Sequence, residues 1–245
     1  MKRIKIIIQF LGTNYSGWQI QPEQKTVQGE VTEAIFQALG ERVDLQSSGR
    51  TDAGVHALAM PAHFDTNTKI NSGNIYKAIN AYLPEDIKVL SSEEVKEDFH
   101  ARFDVVEKTY EYHFYASNVR LPYIDMTSAR ISTPFDYETA KSVCEYFIGI
   151  HDFVGFCSAG NQTATTIRNI RKIGLKKEGE KYVLSVTGDG FLYNMVRIIA
   201  GTIIEVGQGK IKAQDLPSII ESKDRARAGK TAEPRGLVLK NVKYK

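Results

Sequence analysis

The stretch Lys108-Thr109-Tyr110-Glu111-Tyr112-His113-Phe114-Tyr115 has the alternating side-chain pattern of a β-strand. Successive side chains of a strand point to opposite faces, so this order predicts Tyr110, Tyr112 and Phe114 on one face. The residues around its start, 104–108, contain no Gly- or Pro-rich linker. We therefore expect the chain to divide near 104–108 into two halves that share one continuous sheet.

On the N-terminal side of this stretch, strand-like and helix-like periods alternate. Apolar residues recur at helical spacing over 27–39, with Thr26 as the expected N-cap and Gly40 as the expected end. Pro61 restricts a strand over 58–64 to a sheet edge or a bulge, because proline cannot donate a ladder hydrogen bond. The other predicted elements are strands over 4–10 and 87–95 and a helix near 71–81.

The C-terminal side repeats this mixture of elements. Strands and helices of these lengths favour an α/β (α+β) fold with two similar halves, residues 1–105 and 106–245. The expected sheet is mixed, mainly antiparallel and flanked by helices. The predicted elements are helices over 137–148, 192–206 and 213–222 and strands near 168–177, 181–188 and 237–244.

The composition argues against several classes of protein. The two cysteines, Cys144 and Cys157, have no paired-ligand spacing, and the five histidines show no His-x-x-x-His pattern, so no metal site is expected. No apolar run reaches the roughly 18 residues of a membrane span. Gln9 interrupts the apolar run near the N-terminus, so we read it as a strand and expect a cytoplasmic protein.

Charge is distributed unevenly along the chain. Residues 1–159 carry 15 Lys and Arg against 21 Asp and Glu, whereas residues 160–245 carry 17 against 8. A strongly basic segment is expected of a surface that meets phosphates, although a solvated basic face would look the same. The basic residues include Arg168, Arg171, Lys172, Lys176, Lys177, Lys210, Lys212, Arg225, Arg227, Lys230 and Arg235.

The segment from 47 to 56 is small and polar, with a glycine on either side of Arg50-Thr51-Asp52. Glycines allow a tight turn or close approach to a ligand, and loops that present an acid beside a base often carry function. A simpler interpretation is that Asp52 caps its own backbone in an Asx-turn. The local pattern alone leaves both interpretations open.

Gly49-Arg50-Thr51-Asp52-Ala53-Gly54-Val55-His56 resembles the catalytic signature of the tRNA pseudouridine synthase A (TruA) family. Further blocks resemble the same family in the same order, over nearly the whole chain. They are Tyr15–Gln19, Thr26–Glu30, Phe99–Phe103, Lys108–Tyr112, His151–Phe153, Arg168–Ile170, Gly190–Arg197 and Gly236–Leu239. The departures are Ala59-Met60-Pro61, where a Gly-Gln-Val-like run is usual, and Thr231-Ala232-Glu233-Pro234 in place of Thr-Ala-Pro-Ala.

The resemblance implies the isomerisation of uridine to pseudouridine, with Asp52 as the catalytic carboxylate. The N1–C1′ bond breaks, the freed uracil turns, and C5 joins C1′, so no redox step occurs and no cofactor is expected. The carboxylate either attacks C1′ or abstracts the C2′ proton to give a glycal, and the resemblance does not choose between these routes.

The resemblance also assigns roles to three further residues. Arg197, in a mostly apolar stretch, matches the arginine that salt-bridges the catalytic aspartate, although it could instead extend to solvent from a helix surface. Tyr110 matches the residue that stacks on the target uracil, although its strand spacing is equally that of a core residue. Arg50 matches the arginine that replaces the flipped-out base.

The implied partner is the anticodon stem-loop of tRNA, modified at about positions 38–40 by a homodimer. Within the basic second half, which is assigned to RNA binding and dimerisation, Arg168 and Arg171 are the expected substrate contacts. We expect the site to be shaped by His56, Trp18 and His151. We also expect His56 to bind the substrate. Two alternatives stay open, which are a related synthase with another RNA target and a non-catalytic RNA-binding module.

Overall fold

Alternate residues of the first β-strand, Ile4, Ile6 and Ile8, are fully buried in the structure, which is a computed structural model describing residues 1–160 and 163–245. The chain divides into two compact units, Met1–Val106 with Leu239–Lys245, and Glu107–Val238. Residues 239–245 lie in the first unit, whereas the sequence prediction places them in the second half. The roles predicted for the two halves stay predictions.

The first unit is an antiparallel sheet with helices. Its strands follow the order β4-β1-β3-β10, where β10 is Leu237–Tyr244, and the short β2 also pairs with β3. The buried residues of β1 and of α1, among them Val27, Val31 and Ile35, supply its core. The elements are β1 (Lys2–Phe10), α1 (Val27–Leu39), β2 (Gln46–Ser47), β3 (His56–Thr66), α2 (Ile75–Asn80) and β4 (Ile87–Val95).

The second unit has strand order β5-β9-β8-β7, all antiparallel, while β6 pairs parallel with β5. Its core contains α5 and an aromatic cluster in which Phe114 stacks on Tyr182 at 5.2 Å. The elements are β5 (Val105–Ala116), α3 (Pro122–Asp125), β6 (Ala129–Ile131), α4 (Tyr137–Ser142), β7 (Gly149–Asp152), β8 (Ile167–Glu178), β9 (Lys181–Gly188), α5 (Met195–Gly207) and α6 (Leu216–Ser222).

Most elements lie where the sequence predicts them, and the prediction of a mixed α/β fold with a mainly antiparallel sheet and flanking helices is confirmed. The Thr26 hydroxyl caps α1 by accepting from Gly29 N, and Gly40 ends the helix in the left-handed conformation, as predicted. Helix α5 begins three residues later than expected because Asn194, just before it, adopts a positive φ of 61°.

The prediction for Pro61 is wrong. Strand β3 lies between β1 and β10 in the sheet, and Pro61 pairs in register with Ile7, so it is neither at an edge nor at a bulge. The other side of Pro61 meets the end of β2, where Ser48 N donates to Pro61 O at 2.9 Å. The missing N–H of proline is therefore tolerated because regular pairing with β2 stops at Ser47.

Candidate active site

Asp52 lies in a tight turn between β2 and β3. The N–H of Val55 donates to Asp52 O at 3.1 Å, and Gly54 has a φ of 78°, as the third residue of a type II turn requires. Exposure changes at each step before the turn: Arg50 is exposed, Thr51 is buried and Asp52 is half-buried. We name residues 48–55 the Asp52 loop.

Two glycines of the N-terminal segment hold the Asp52 loop from behind. A side chain at Gly12 would place its Cβ 2.0 Å from Val55 O, and one at Gly17 would lie 2.7 Å from Thr51 O. Trp18 N donates to Thr51 O at 3.0 Å. The loop is thus positioned by direct backbone-to-backbone contact, which only glycine permits at these distances.

His56 supports this arrangement from the start of β3. Its ring is 3% exposed, and Nδ1 accepts from Gly12 N at 2.9 Å. The hydrogen bond fixes the ring and ties the glycine segment to the strand that follows the loop. Trp18 is likewise buried and packs against Phe10. The substrate-binding role of His56 stays a prediction, and its position is that of a supporting residue.

The departure at 59–61 reaches the other end of the Asp52 loop. Ser48 is fully buried, its hydroxyl donates to the Met60 sulfur at 3.2 Å, and its N–H donates to Pro61 O. Met60 and Pro61, which belong to this departure, therefore anchor the first residue of the Asp52 loop.

The Thr51 hydroxyl has no hydrogen-bond partner in the structure, although its oxygen is buried. Buried polar groups are almost always paired, and leaving one unpaired costs about 1–3 kcal/mol. The residue before the acid thus carries an energetic penalty within an otherwise tightly bonded segment.

In the second unit, Tyr110 lies on β5 opposite Val186, where it is half-buried. Its ring meets the edge of Phe191 at 5.3 Å and an interplanar angle of 89°. Farther along the strand, Tyr112 and Phe114 are buried, as expected of core residues. Phe191 received no role from the sequence, although its place in the block 190–197 was a signal for it.

Arg197 lies in the first turn of α5, among buried apolar neighbours. Its Nε donates to Ala232 O at 2.8 Å, and its Nη1 donates to Asn194 Oδ1 at 2.7 Å. The left-handed conformation of Asn194 places its amide beside the helix start, and its Nδ2 bonds to Ser158 Oγ. Arg197 is half-buried and orientated by these acceptors, so it is not a solvent-extended surface arginine.

Residues 229–233, which we name the strap, provide one of these acceptors. Gly229 N donates to Thr202 Oγ1 at 2.9 Å, and Ala232 N donates to Arg197 O at 3.1 Å. A Cβ at Gly201 would lie 1.8 Å from Lys230 O, so the strap rests directly on the backbone of α5.

The buried hydroxyl of Tyr112 also holds the strap, by donating to Glu233 O at 3.0 Å. Burial, aided by the nearby Glu233, raises the pKa of Tyr112 above its usual value and keeps this donor protonated. Glu233 is bonded here through its backbone oxygen. The departure at 233–234 therefore leaves this contact available.

The two predicted RNA-contact arginines lie on β8. Arg168 is half-buried, donates to Thr165 O at 2.9 Å and lies against Gly190. Arg171 is exposed and forms an ion pair with Glu107 at 3.2 Å. His151 bonds to Ile148 O at 3.0 Å. Binding of RNA by these side chains stays a prediction.

Within the described residues, no group of three or more His, Cys, Asp and Glu side chains is arranged to hold a metal ion. Nor does any helix in the described ranges have the length and apolar character needed to cross a membrane. The main site residues named above are Arg50, Asp52 and His56 in the first unit and Tyr110 and Arg197 in the second.

Known proteins with similar sequences cover the whole chain. A family model described as tRNA pseudouridine synthase matches residues 6–104 and 143–245. A Caldicellulosiruptor bescii protein called tRNA pseudouridine synthase A is 46% identical over 244 residues, and an Acetivibrio thermocellus protein of the same name is 45% identical, each match covering 100% of both chains. A Clostridium perfringens protein called tRNA pseudouridine synthase A 2 is 43% identical over 245 residues, again with complete coverage. The chain therefore belongs to the tRNA pseudouridine synthase family.

Proposed function

We propose that this chain converts uridine to pseudouridine in the anticodon stem-loop of tRNA, at about positions 38–40, with Asp52 as the catalytic carboxylate. The observation that carries the proposal is a carboxylate on a glycine-clamped turn within the family signature 49–56. Relatives called tRNA pseudouridine synthase A support the choice of substrate. The proposal includes a homodimer and a cytoplasmic location, which rest on the family resemblance.

The reaction needs a carboxylate, a flipped uridine and a surface that holds the base. Asp52 either bonds to C1′ or takes the C2′ proton as the N1–C1′ bond breaks. When C5 of the turned uracil joins C1′, the carboxylate is released from C1′ or the proton returns to C2′. The C5 hydrogen then leaves as a proton, and N1 takes up a proton. Arg50, exposed beside the acid, fills the space of the flipped base, which offsets part of an unstacking cost of a few kcal/mol. Tyr110, backed by Phe191, stacks on the uracil.

The basic residues of 160–245 hold the tRNA backbone in this proposal. If about six phosphates are neutralised, the logarithm of the binding constant falls with the logarithm of salt concentration at a slope near −4 to −5. A binding constant that does not change with salt concentration would mean that phosphate contacts do not supply the binding energy.

Replacement of Asp52 by Asn tests the chemistry directly. Turnover, measured as tritium release from tRNA carrying 5-tritiated uridine, should fall by at least about 1,000-fold, because the amide is a poor nucleophile and base. Binding of tRNA should change little, since phosphate contacts do not need the carboxylate. Asp44→Asn, which removes the same charge at an exposed position of the first unit, is the control and should keep full turnover.

Persistent tritium release in Asp52→Asn would overturn the assignment of the acid, and its absence from the unaltered chain would favour a non-catalytic RNA-binding module. The RNA target is tested separately, by mapping modified uridines in RNA from cells with and without the protein. Changes confined to ribosomal RNA would exclude the anticodon stem-loop as the substrate.

A further inference from the structure

An exposed aromatic ring projects from the turn between β4 and β5. Phe103 is 73% exposed, and it is the only phenylalanine in residues 1–160 and 163–245 that is largely exposed. Its ring lies 4.3 Å from the His100 ring at an interplanar angle of 36°, and the Arg102 guanidinium lies 5.8 Å from its centroid. Phe103 is thus backed on the protein by one flat ring and accompanied by an exposed cation.

The turn that carries Phe103 closes on itself. His100 N donates to Asp104 Oδ2 at 2.7 Å, and Asp104 N donates back to His100 O at 3.1 Å. Arg102 N donates to His100 Nδ1 at 3.1 Å, which orientates the backing ring. Phe103 is therefore presented on a pre-shaped turn, and holding it in place for a ligand costs little additional entropy.

The same turn is anchored to the core through Ala101, which is fully buried. Ala101 N donates to His63 Nδ1 at 3.2 Å, and the Tyr244 hydroxyl donates to Ala101 O at 2.7 Å. Burial and the neighbouring His100 lower the pKa of His63 to about 4, so the ring is neutral near pH 7 and Nδ1 can accept. The anchor fixes the base of the turn while Phe103 stays in solvent.

The charged residues around Phe103 favour a flat, uncharged group as its ligand. Segment 93–98 carries four carboxylates and one lysine. Glu93 forms an ion pair of 2.6 Å with Lys5, and Glu94 accepts a hydrogen bond from the Ser72 hydroxyl at 3.0 Å. Exposed carboxylates repel phosphates. Phe103 is also flanked in sequence by Arg102 and Asp104, so it does not extend into the broad apolar patch that a protein partner would bury.

A phenyl ring with a guanidinium beside it is the combination on which nucleobases stack in single-stranded and looped RNA. We propose that Phe103 is a stacking platform for an unpaired base of the tRNA substrate, with His100 as its backing ring and Arg102 at its edge. The inference rests on the proposed function, because it adds a contact to the same substrate.

The test compares variants of Phe103 in an Asp52→Asn chain, so that binding is measured without turnover. Phe103→Ala and Phe103→Leu should each raise the Kd for an unmodified tRNA transcript about tenfold, whereas Phe103→Trp should stay within twofold of the parent. Leucine keeps the apolar surface and loses the flat ring, so it separates stacking from simple apolar contact. Tyr123→Ala, at a residue 93% exposed on α3, is the matched control and should leave the Kd unchanged.

Salt dependence provides a second readout. Because the platform contacts a base and no phosphate, the plots of log binding constant against log salt for the parent and Phe103→Ala should be parallel and displaced. The indole of the Phe103→Trp variant should also lose fluorescence on titration with tRNA, over the constant signal of the buried Trp18. Thermal unfolding should be unchanged in every variant, since Phe103 is exposed.

A leucine variant that binds as tightly as the parent, or an alanine variant with an unchanged Kd, would overturn the platform. A changed slope of log binding constant against log salt would mean that Phe103 contacts a phosphate. A changed oligomeric state on sedimentation would mean that it contacts a protein partner. Either result would also exclude the stacking platform. If the proposed function is wrong, the unaltered chain will release no tritium from tRNA carrying 5-tritiated uridine. That result does not depend on the effect of the Phe103 variants on tRNA binding.

Discussion

The Asp52 loop of the first unit and the strap of the second unit are both held by glycines that allow two backbones to touch, yet they differ in what they carry. The Asp52 loop bears the proposed catalytic group itself. The strap bears none and instead offers a carbonyl oxygen to Arg197, which belongs to a helix. A displacement of the Asp52 loop therefore moves the acid directly, whereas a displacement of the strap reaches Arg197 through its two hydrogen bonds with Ala232.

The largest effect is expected for Gly12→Ala, which would place a Cβ 2.0 Å from Val55 O. Backbone on both sides leaves no flexible group to yield, so the free energy of unfolding should fall by about 2–3 kcal/mol in urea titrations, with a loss of turnover in the folded protein. Gly174→Ala on β8, where a Cβ has open space, is the control. Similar losses from both variants would mean that backbone contact does not position the loop.

A smaller effect is expected for Gly201→Ala, where the new Cβ would lie 1.8 Å from Lys230 O. Alanine favours a helix over glycine by about 1 kcal/mol, which offsets part of the clash, so the net loss of stability should be about 1–2 kcal/mol. Turnover should fall through displacement of Ala232 O from Arg197. If Gly201→Ala loses more turnover than Gly12→Ala, the strap contributes to turnover beyond holding Arg197 in place.

Arg197→Lys tests the two hydrogen bonds of the Arg197 side chain rather than contact between backbones. Lysine keeps the charge, but it cannot reproduce the Nε and Nη1 donors that Ala232 and Asn194 accept. Turnover measured by tritium release should fall about tenfold, which corresponds to about 1.4 kcal/mol in the barrier. The pairing of Arg197 with Asp52 stays a prediction, and full activity in the lysine variant would show that charge alone suffices.

The smallest change is expected for Thr51→Val, and it is a gain in stability rather than a loss. The Thr51 hydroxyl is buried without a partner, so removing it should raise the free energy of unfolding by up to about 1 kcal/mol. Thr202→Val is the counterpart beside the strap, where the hydroxyl donates to Ile198 O and accepts from Gly229 N, and it should destabilise. A destabilised Thr51→Val would mean that the hydroxyl has a partner in solution, such as a bound water.

Periodicity was sufficient for most strands and for α1, because apolar spacing and the capping residues Thr26 and Gly40 act locally. It failed at Pro61, whose tolerance depends on where β2 happens to end. The start of α5 was also missed, since the conformation of Asn194 is set by its bonds to Ser158 and Arg197. Contacts between distant segments decide such positions, and no local pattern encodes them.

For the candidate site, the family motifs propose roles for Asp52 and Arg197, but they do not indicate which residues support them. Gly12, Gly17 and the strap lie far in sequence from the residues that they hold. Phe103 stood within a motif block, and only its exposure in the folded chain distinguishes it from a core phenylalanine. Sequence resemblance thus proposes the reacting groups, whereas the backbone contacts that hold them are seen only in the structure.

The membership of residues 239–245 in the first unit has a consequence for synthesis on the ribosome. Strand β10 follows β3 in the sheet order, and Tyr244 bonds to Ala101, 143 residues earlier in the chain. The unit that bears Asp52 therefore cannot complete its sheet until residues 239–245 have been synthesised, although its first 106 residues emerge early. A nascent chain halted before residue 239 would expose the flank of β3 that β10 covers in the folded unit.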